Sequence, residues 1–336
     1  MEAIADFGVM QYFGVNTFVT GIFKTWEGMG SIEDASKLAS MLMTFLFILI
    51  ILEKYQRRNK VYKSSGKDFR PITKTKLTRY KNVLAVTICF IPFFFGFLLP
   101  FIQLTIWFIQ SYKTILNDDF IELLLSTLQL GVVSATLITG LALLITYNSR
   151  INKDKTSISL VQITKLGYSV PGAVVAVGIL SFFGILNEYV LNLISSDLLI
   201  SGTIIAVIFG YIVRFIAISI NNFEAGFNRI PQSYDDAAHI SDIGQVKTFI
   251  KVFLPLIKNS AFASFIIVFI EVIKELPLTM VLRPFDYNTL AIRALELNEQ
   301  SQTIESSVPS MFIVLIGIGS VLLLTKNMKK VENGKH

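Results

Sequence analysis

Three ionisable residues inside an apolar stretch are the strongest candidates for chemistry in this chain. Glu271 lies near the middle of the stretch, and Lys274 and Glu275 follow about one helical turn later. Ionisable groups at membrane depth are costly, and they usually face a cavity or an opposite charge. Glu271 and Lys274 are three residues apart, so they can pair on one helix face. Two interpretations stay open, a cation route lined by carboxylates and a set of structural charge pairs near the external mouth, and we favour the second.

A polar segment between two apolar runs is the second candidate, and its chemistry is that of a docking surface. Residues 221–258 contain a predicted helix that begins near Ser233, and Asp236 three residues later completes a capping-box pattern. Ala237 and Ala238 follow, and their small side chains would let a groove wall approach closely. The segment is therefore predicted to present a helix to another molecule.

A second short helix is predicted after Ser241 or Asp242, either of which can cap it. It would end at Leu254-Pro255, before the next span. Its apolar stripe consists of Val246, Phe249, Ile250 and Phe253. A helix pair with an exposed stripe suits a protein groove, and the alternative is an interfacial helix that lies on lipid headgroups.

Several kinds of chemistry lack their residues in this sequence. Cys89 is the only cysteine, and His239 and His336 are the only histidines, so neither a disulfide nor a Cys/His metal site is predicted. His239 is interpreted as a surface contact. The phosphate-binding pattern Gly-x-x-x-x-Gly-Lys-Ser/Thr does not occur, since residues 65–68 lack its first glycine. We therefore expect no enzyme activity and no cofactor, and any ATP hydrolysis would belong to another chain.

The composition is that of a membrane protein. The 336 residues are 53% hydrophobic and 16% charged, with 28 phenylalanines, whereas about 25% charged residues is usual for a soluble domain. The formal charge of +6 comes from basic residues in short loops beside apolar runs, which is the positive-inside pattern rather than a nucleic-acid surface. The lipid bilayer is therefore an expected partner, and nucleic acid is not.

About seven transmembrane helices are predicted, and the fold class is an all-α membrane protein. The spans run approximately over residues 38–52, 83–108, 121–146, 163–183, 199–220, 261–282 and 308–324. Pro92 and Pro100 predict a kink in the second span. Arg214 is placed near the inner end of its span, where it would snorkel or pair. Every basic cluster falls on one side, which we assign to the cytoplasm.

An internal repeat relates the two ends of the chain. Residues 1–6 resemble 270–275 at an offset of 269, and the patches at 15–18 and 31–34 resemble 287–290 and 303–306 at an offset of 272. Transporters often contain two copies of one unit with the path between them. The repeat places Glu2 and Asp6 at positions equivalent to Glu271 and Glu275, so on the interpretation of a cation route carboxylates from both copies would line the same path.

The repeat predicts the domain organisation. Residues 1–53 would be the end of a first unit, comprising a partial fifth span, an external loop and a sixth span. Residues 54–82 would be a basic cytoplasmic linker, 83–325 a complete six-helix second unit, and 326–336 a cytoplasmic tail. The first four spans of the first unit would then be missing, so we expect either a preceding segment or a separate chain that supplies them.

The polar segment resembles the EAA loop of bacterial ABC importer permeases. Asp236, Ala237, Ala238, Leu254 and Pro255 match that pattern in type and spacing. Asp242 stands where the family has glycine, and Gly244 follows two residues later. The resemblance implies that this loop docks on a cytoplasmic ABC ATPase dimer, and the departure at Asp242 puts the turn geometry in question.

Two further stretches resemble fused, two-unit iron(III) ABC importer permeases. Residues 274–291, from Lys274-Glu275-Leu276-Pro277 to Asn288-Thr289-Leu290-Ala291, are similar to the second half of such proteins, and residues 6–18 to the matching part of the first half. The resemblance implies an inner-membrane permease that receives ferric iron from an external binding protein. Relatives that carry thiamine, polyamines or oxyanions leave other solutes open. The main rival is a secondary transporter or channel that uses Glu271 and Glu275 as ion or proton ligands.

Overall fold

All regular structure that the chain shows is helical over the residues described here. The computed structural model describes residues 2–57, 78–152, 154–187, 202–240 and 244–333. The N-terminal helices are α1 (Glu2–Ala5), α2 (Gly8–Tyr12), α3 (Phe18–Met29) and α4 (Ile32–Arg57). The middle helices are α5 (Arg79–Phe93), α6 (Leu99–Ile115), α7 (Asp118–Ile151), α8 (Lys155–Thr164), α9 (Gly172–Leu186) and α10 (Ile204–Phe227). The last are α11 (Ser233–Ile240), α12 (Gln245–Thr248), α13 (Leu254–Ile273), α14 (Pro277–Leu282), α15 (Leu290–Glu299) and α16 (Ser307–Asn333).

Six helical stretches are long and apolar enough to cross a membrane, within the part of the chain that the structure describes. They are Ile32–Glu53, Arg79–Ile115, Asp118–Ile151, Ile204–Phe227, Val246–Ile273 and Ser307–Met328. A bent pair of helices makes a seventh if both arms are one span. The predicted all-α membrane class is confirmed. Most of the predicted linker, residues 54–82, lies outside the described residues.

The span predicted over residues 163–183 is not one straight helix. The chain forms two arms instead, Lys155–Ser169 and Gly172–Leu186, which are bent by 115°. Pro171 stands at the break, and it has no N–H to donate to the preceding turn. A proline also disfavours helical geometry at the residue before it, and Val170 is extended, with φ −91° and ψ 129°. The bend therefore follows from one residue inside an otherwise apolar run.

Two other predicted spans have different ends. The span expected over 199–220 continues to Phe227, so Arg214 lies in the middle of α10 rather than near its inner end. The span expected over 261–282 occupies Val246–Ile273, and α14 is a separate short helix beyond it. In the second predicted span, Pro92 and Pro100 flank a π-helical turn, Phe94–Leu98, within one continuous span. Each proline lacks the N–H that would bind a carbonyl of the preceding turn, and a π-turn is a common way for a helix to adapt to such a break in its hydrogen bonds.

Helix α10 is the centre of the fold. It packs against α7, α9, α13 and α14, and against the 3₁₀ turn Lys165–Ser169 of the bend. Its fully buried aromatic side chains include Tyr211, Phe215 and Phe223. The bend comes closest at Gly167, where an added Cβ would lie 2.1 Å from the Val213 carbonyl oxygen. The bend is thus packed directly on the backbone of the central helix.

The two resembling segments contain similar elements in the same order. In each, a short helix is followed by an amphipathic helix and then by a long span, namely α2, α3 and α4 in one and α14, α15 and α16 in the other. Thr17 and Thr289 are the residues immediately before the equivalent helices α3 and α15. Both segments contact the bend, because α4 and α14 pack against α9.

Replacing Gly167 with alanine tests how tightly the bend is packed. The Cβ would meet a backbone atom that cannot move aside, so Gly167→Ala should lower the free energy of unfolding by about 1–3 kcal/mol. Gly178→Ala, in α9 of the same bent pair, is the matched control, because a Cβ added there would have no atom of the described residues within 4 Å. Thermal unfolding in detergent measures both variants. Equal melting temperatures would show that the bend does not rest on α10.

Candidate functional site

A buried ion pair joins the middle of α10 to the segment before α14. The Arg214 Nη1 atom donates to the Glu275 Oε1 atom. The same Glu275 oxygen accepts from the Leu278 backbone N–H at 3.1 Å, so it also binds the first turn of α14. The Arg214 guanidinium lies 5.3 Å from the centre of the Phe215 ring. The pair is largely shielded, with side-chain exposures of 15% for Arg214 and 6% for Glu275.

The bend closes over this ion pair at Gly172, the first residue of α9. A Cβ at this position would lie 1.9 Å from Arg214 Nη1 and 2.6 Å from Glu275 Oε1. Glycine is therefore required for the bend and the ion pair to coexist. One turn away, the Tyr211 and Thr279 hydroxyls are 2.5 Å apart and both are buried, which gives α10 and α14 a second polar contact.

A cavity of about 590 Å³ opens beside the ion pair. Its polar lining consists of Asp6, Tyr168, Ser169, Arg214, Glu271, Lys274 and Glu275. The Glu271–Lys274 pair that the spacing predicted is present, at 2.8 Å. The structure thus brings four of the five predicted path residues together. The fifth, Glu2, begins α1, and its side chain lies outside the described side chains.

The sequence-based interpretation missed three residues of this cavity. The sequence predicts that Arg214 snorkels or pairs, but near the inner end of its span, too far from the predicted path to meet it. Tyr168 and Ser169 carried no signal, because their position depends on the bend at Pro171. Asp6 accepts from the Val9 N–H at 3.3 Å, and it makes no salt bridge with a described residue.

The two resembling segments also meet at the end opposite the basic clusters. The Gln11 side-chain amide donates to Glu299 at 3.3 Å. Glu27 occupies the position in α3 that Glu299 occupies at the end of α15. Partial burial, together with the nearby Glu299 carboxylate, raises the pKa of Glu27 above its ordinary value, and Arg283 acts in the opposite direction. The acidic ends of the two segments are therefore close enough to influence each other.

A braced loop between α14 and α15 carries an exposed aromatic side chain at the same end. Arg283 and Asn288 donate to the two oxygens of Glu296, at 3.1 and 3.0 Å. The Tyr287 hydroxyl donates to a backbone carbonyl of α7 at 2.9 Å. Between these anchors Phe285 is fully exposed, at 108% of the reference area. The loop therefore holds one large apolar side chain outward on a fixed base.

At the basic end of the molecule, the predicted polar helix is present as α11. It carries Asp236, Ala237 and Ala238 of the predicted docking segment. The predicted capping box is wrong, because Ser233 is itself the first helical residue, and the Asp236 N–H donates to the Gln232 carbonyl at 3.1 Å. Asp242 lies outside the described residues.

The predicted second helix differs from the structure in where it ends, and its apolar stripe is only partly exposed. Helix α12 does not end before the next span but continues through a π-turn, Phe249–Phe253, into α13. Leu254-Pro255 therefore starts α13, where proline in the first turn is tolerated. Gly244 is exposed just before α12.

The stripe itself is divided between the interior and the surface. Phe249 and Phe253 pack on the Tyr147 ring, with ring centres 4.6 and 5.5 Å apart. Val246 and Ile250 remain exposed, at 72% and 54%. The division follows from the continuous helix, because it turns the aromatic face of the segment against α7. Of the four stripe residues, Val246 and Ile250 are therefore the ones left for an outside partner.

The fold and these two sites define a membrane transport permease, with a charged cavity beside the middle of α10 and a polar helix between spans at the basic end. Residues 138–329, more than half of the chain, match the family described as "Binding-protein-dependent transport system inner membrane component". The chain belongs to this family. It is accordingly a multi-pass protein of the bacterial inner membrane, and the predicted permease class is confirmed.

Individual relatives point in two directions. The chain is 23% identical over 330 residues to the "Fe(3+)-transport system permease protein FbpB 2" of Haemophilus influenzae. The match covers 97% of this chain and 63% of the length of that protein. It is also similar to a chain of a bacterial alginate ABC transporter in complex with an alginate pentasaccharide-bound periplasmic protein, with a TM-score of 0.61 and 17% identity. That match covers 75% of this chain and 96% of the other. A second structure, of a bacterial ABC transporter involved in alginate import, has a TM-score of 0.61, 15% identity and the same coverage. These structures show the fold.

A double-mutant cycle tests the ion pair. Arg214→Met and Glu275→Gln each leave one buried charge without its partner, so each should lower the free energy of unfolding by about 3–5 kcal/mol. The double variant removes both charges, and its loss should be well below the sum of the two. Denaturant unfolding in detergent provides the measurement. Additive losses would mean that the two side chains do not interact.

Proposed function

We propose that this chain forms the membrane path of an ABC importer for ferric iron, driven by a separate cytoplasmic ATPase dimer and supplied by an external binding protein. The observation that carries the proposal is the placement of both sites on one helix. Helix α10 lines the charged cavity at Arg214 and reaches the polar helix region at Phe227. A movement imposed at one end would therefore reach the other through a continuous helix.

The iron assignment is supported by the charge of the cavity and by one relative. Three carboxylates, those of Asp6, Glu271 and Glu275, face two basic side chains, those of Arg214 and Lys274. A surplus of carboxylates attracts a cation. The FbpB 2 relative is described as an Fe(3+)-transport permease. We propose that the route runs between the two resembling segments, since Asp6 comes from one and Glu271 from the other.

The ATPase is proposed to dock on α11 and on the aliphatic face that follows it. Tyr234 and Asp236 are exposed on α11, and Val246 and Ile250 are exposed on the next helix. An aromatic anchor and two aliphatic side chains beside a carboxylate suit a groove with a basic rim. These four are among the exposed side chains that the structure describes in this segment.

The external binding protein is proposed to contact the braced loop that carries Phe285. Interface anchors are typically aromatic side chains held in place before binding, because little conformational freedom is then lost. The salt bridge of Arg283 with Glu296 provides that support. The resembling segments meet nearby, so a protein seated on this loop would release its substrate above the cavity.

Reconstitution of the full chain in proteoliposomes tests the proposed function. With the ATPase subunits and the binding protein present, uptake of ⁵⁵Fe(III) should require ATP hydrolysis and should survive ionophores that abolish ion gradients. An ATPase subunit unable to hydrolyse ATP is the control. Gradient-driven uptake without ATP would establish the secondary-transporter alternative. ATP-driven uptake of thiamine with no uptake of iron would overturn the iron assignment and leave the permease class standing.

Phe285→Ala tests the external contact in the same system. The variant should raise the binding-protein concentration for half-maximal stimulation of ATP hydrolysis by about tenfold, as expected for an interface anchor. The maximal rate should stay the same, because the cavity is untouched. Tyr80→Ala removes another highly exposed aromatic side chain, at the start of α5, and should change neither value. An unchanged half-saturation in Phe285→Ala would remove the loop from the interface.

A further inference from the structure

Arg150, in the last turn of α7, holds the polar helix by a two-point contact. Its Nε atom donates to Asp235 Oδ1 at 3.0 Å, and its Nη2 atom donates to Asp235 Oδ2 at 2.7 Å. The paired geometry fixes orientation as well as distance, because two N–H groups on one edge of the guanidinium bind the two carboxylate oxygens. The side chains are 14% and 22% exposed, so water screens this contact much less than a surface pair.

The same guanidinium is also tied to α10 and to the connection that follows it. Its Nη1 atom donates to the Phe227 carbonyl at 2.6 Å, at the end of α10. Its Nη2 atom donates to the Ile230 carbonyl at 3.1 Å, in the connection to α11. The cation also lies over the Phe227 and Phe253 rings, 5.4 and 5.2 Å from their centres. One side chain therefore joins α7, α10, α11 and the π-turn that leads into α13.

We propose that Arg150 is the positioning residue that transmits displacement of α11 to the membrane spans. This inference rests on the proposed function, in which an ATPase moves α11. A force on α11 reaches Arg150 through Asp235, and Arg150 is anchored on α10, whose midpoint lines the charged cavity. Arginine suits the role because its planar fork offers several donors in a fixed geometry, whereas lysine offers one flexible ammonium group.

The Arg150–Asp235 contact lies in the wall of a polar cavity of about 640 Å³ at this end of the molecule. Other polar wall residues include Glu224 and Gln232. A helix beside such a cavity has space to shift. Without Arg150, displacement of α11 would be taken up there instead of moving α10. Loss of the residue should therefore separate ATP hydrolysis from transport rather than abolish both.

The experiment measures solute transported per ATP hydrolysed in the reconstituted complex of the full chain. Arg150→Ala should lower this ratio by about tenfold or more, a coupling effect within the usual range, while binding-protein-stimulated ATP hydrolysis continues. Arg150→Lys should also fall well below the natural chain, because it keeps the charge but loses the fork. Arg229→Ala removes an exposed arginine from the α10–α11 connection and is the matched control, with an unchanged ratio.

A cleavable crosslink separates a mechanical role from a merely structural one. In a Cys89→Ser background, Arg150→Cys with Asp235→Cys should be uncoupled. Joining the two thiols with a bifunctional methanethiosulfonate should restore the ratio of solute transported to ATP hydrolysed. A reducing agent should cleave the crosslink and lower the ratio again. An unchanged ratio in Arg150→Ala, or no recovery on crosslinking of a correctly inserted protein, would overturn the inference. Neither result would touch ATP-driven uptake by the natural chain, on which the proposed function is judged separately.

Discussion

Arg214 carries a permanent positive charge in the middle of an apolar helix, and its contact with Glu275 constrains everything around it. A buried ion that loses its partner costs several kcal/mol, and water is scarce at membrane depth. Glu275 must therefore stay within reach of Arg214, which fixes the segment that ends α13 and begins α14. The bend must approach the same pair, and Gly172 is the residue that lets it do so. The cavity, which residues of both resembling segments line, is built around this pair.

The two functional ends are linked by the length of α10. From Arg214 to Phe227 the helix is about 20 Å long, at about 1.5 Å per residue. Glu275 binds the helix at Arg214, near its middle, and Arg150 binds it at Phe227, its last residue. Buried aromatic side chains along it pack against several neighbouring helices, so bending it would disturb much of the core. A rigid helix held near its middle and at one end suits the proposed coupling of a cytoplasmic ATPase to the cavity.

The features that could be predicted from the sequence are those set by local pattern. Apolar runs and basic loops predicted the membrane class, and the three-residue spacing predicted the Glu271–Lys274 pair. The polar helix at Ser233 followed from its position between two spans.

The bend could not be predicted from hydropathy, because a single proline in an apolar run changes the direction of the chain without changing its composition. The prediction of a fully exposed stripe was wrong because the helix continues through Pro255, and this continuous helix turns Phe253 inward. Arg150 looked like an ordinary inside-positive residue, since its partner Asp235 is distant in sequence.

The central claim of the proposed function is that the cavity beside Arg214 lies on the substrate route. Access to the cavity is then expected to change with the ATPase cycle. Accessibility of Ser169, which lines this cavity, tests it most directly. With Cys89→Ser and Ser169→Cys, a membrane-impermeant thiol reagent applied to the external face of the reconstituted transporter should modify the new cysteine at a rate that changes markedly with nucleotide. The account predicts this dependence. Modification at one rate in every nucleotide state, or none at all, would contradict it.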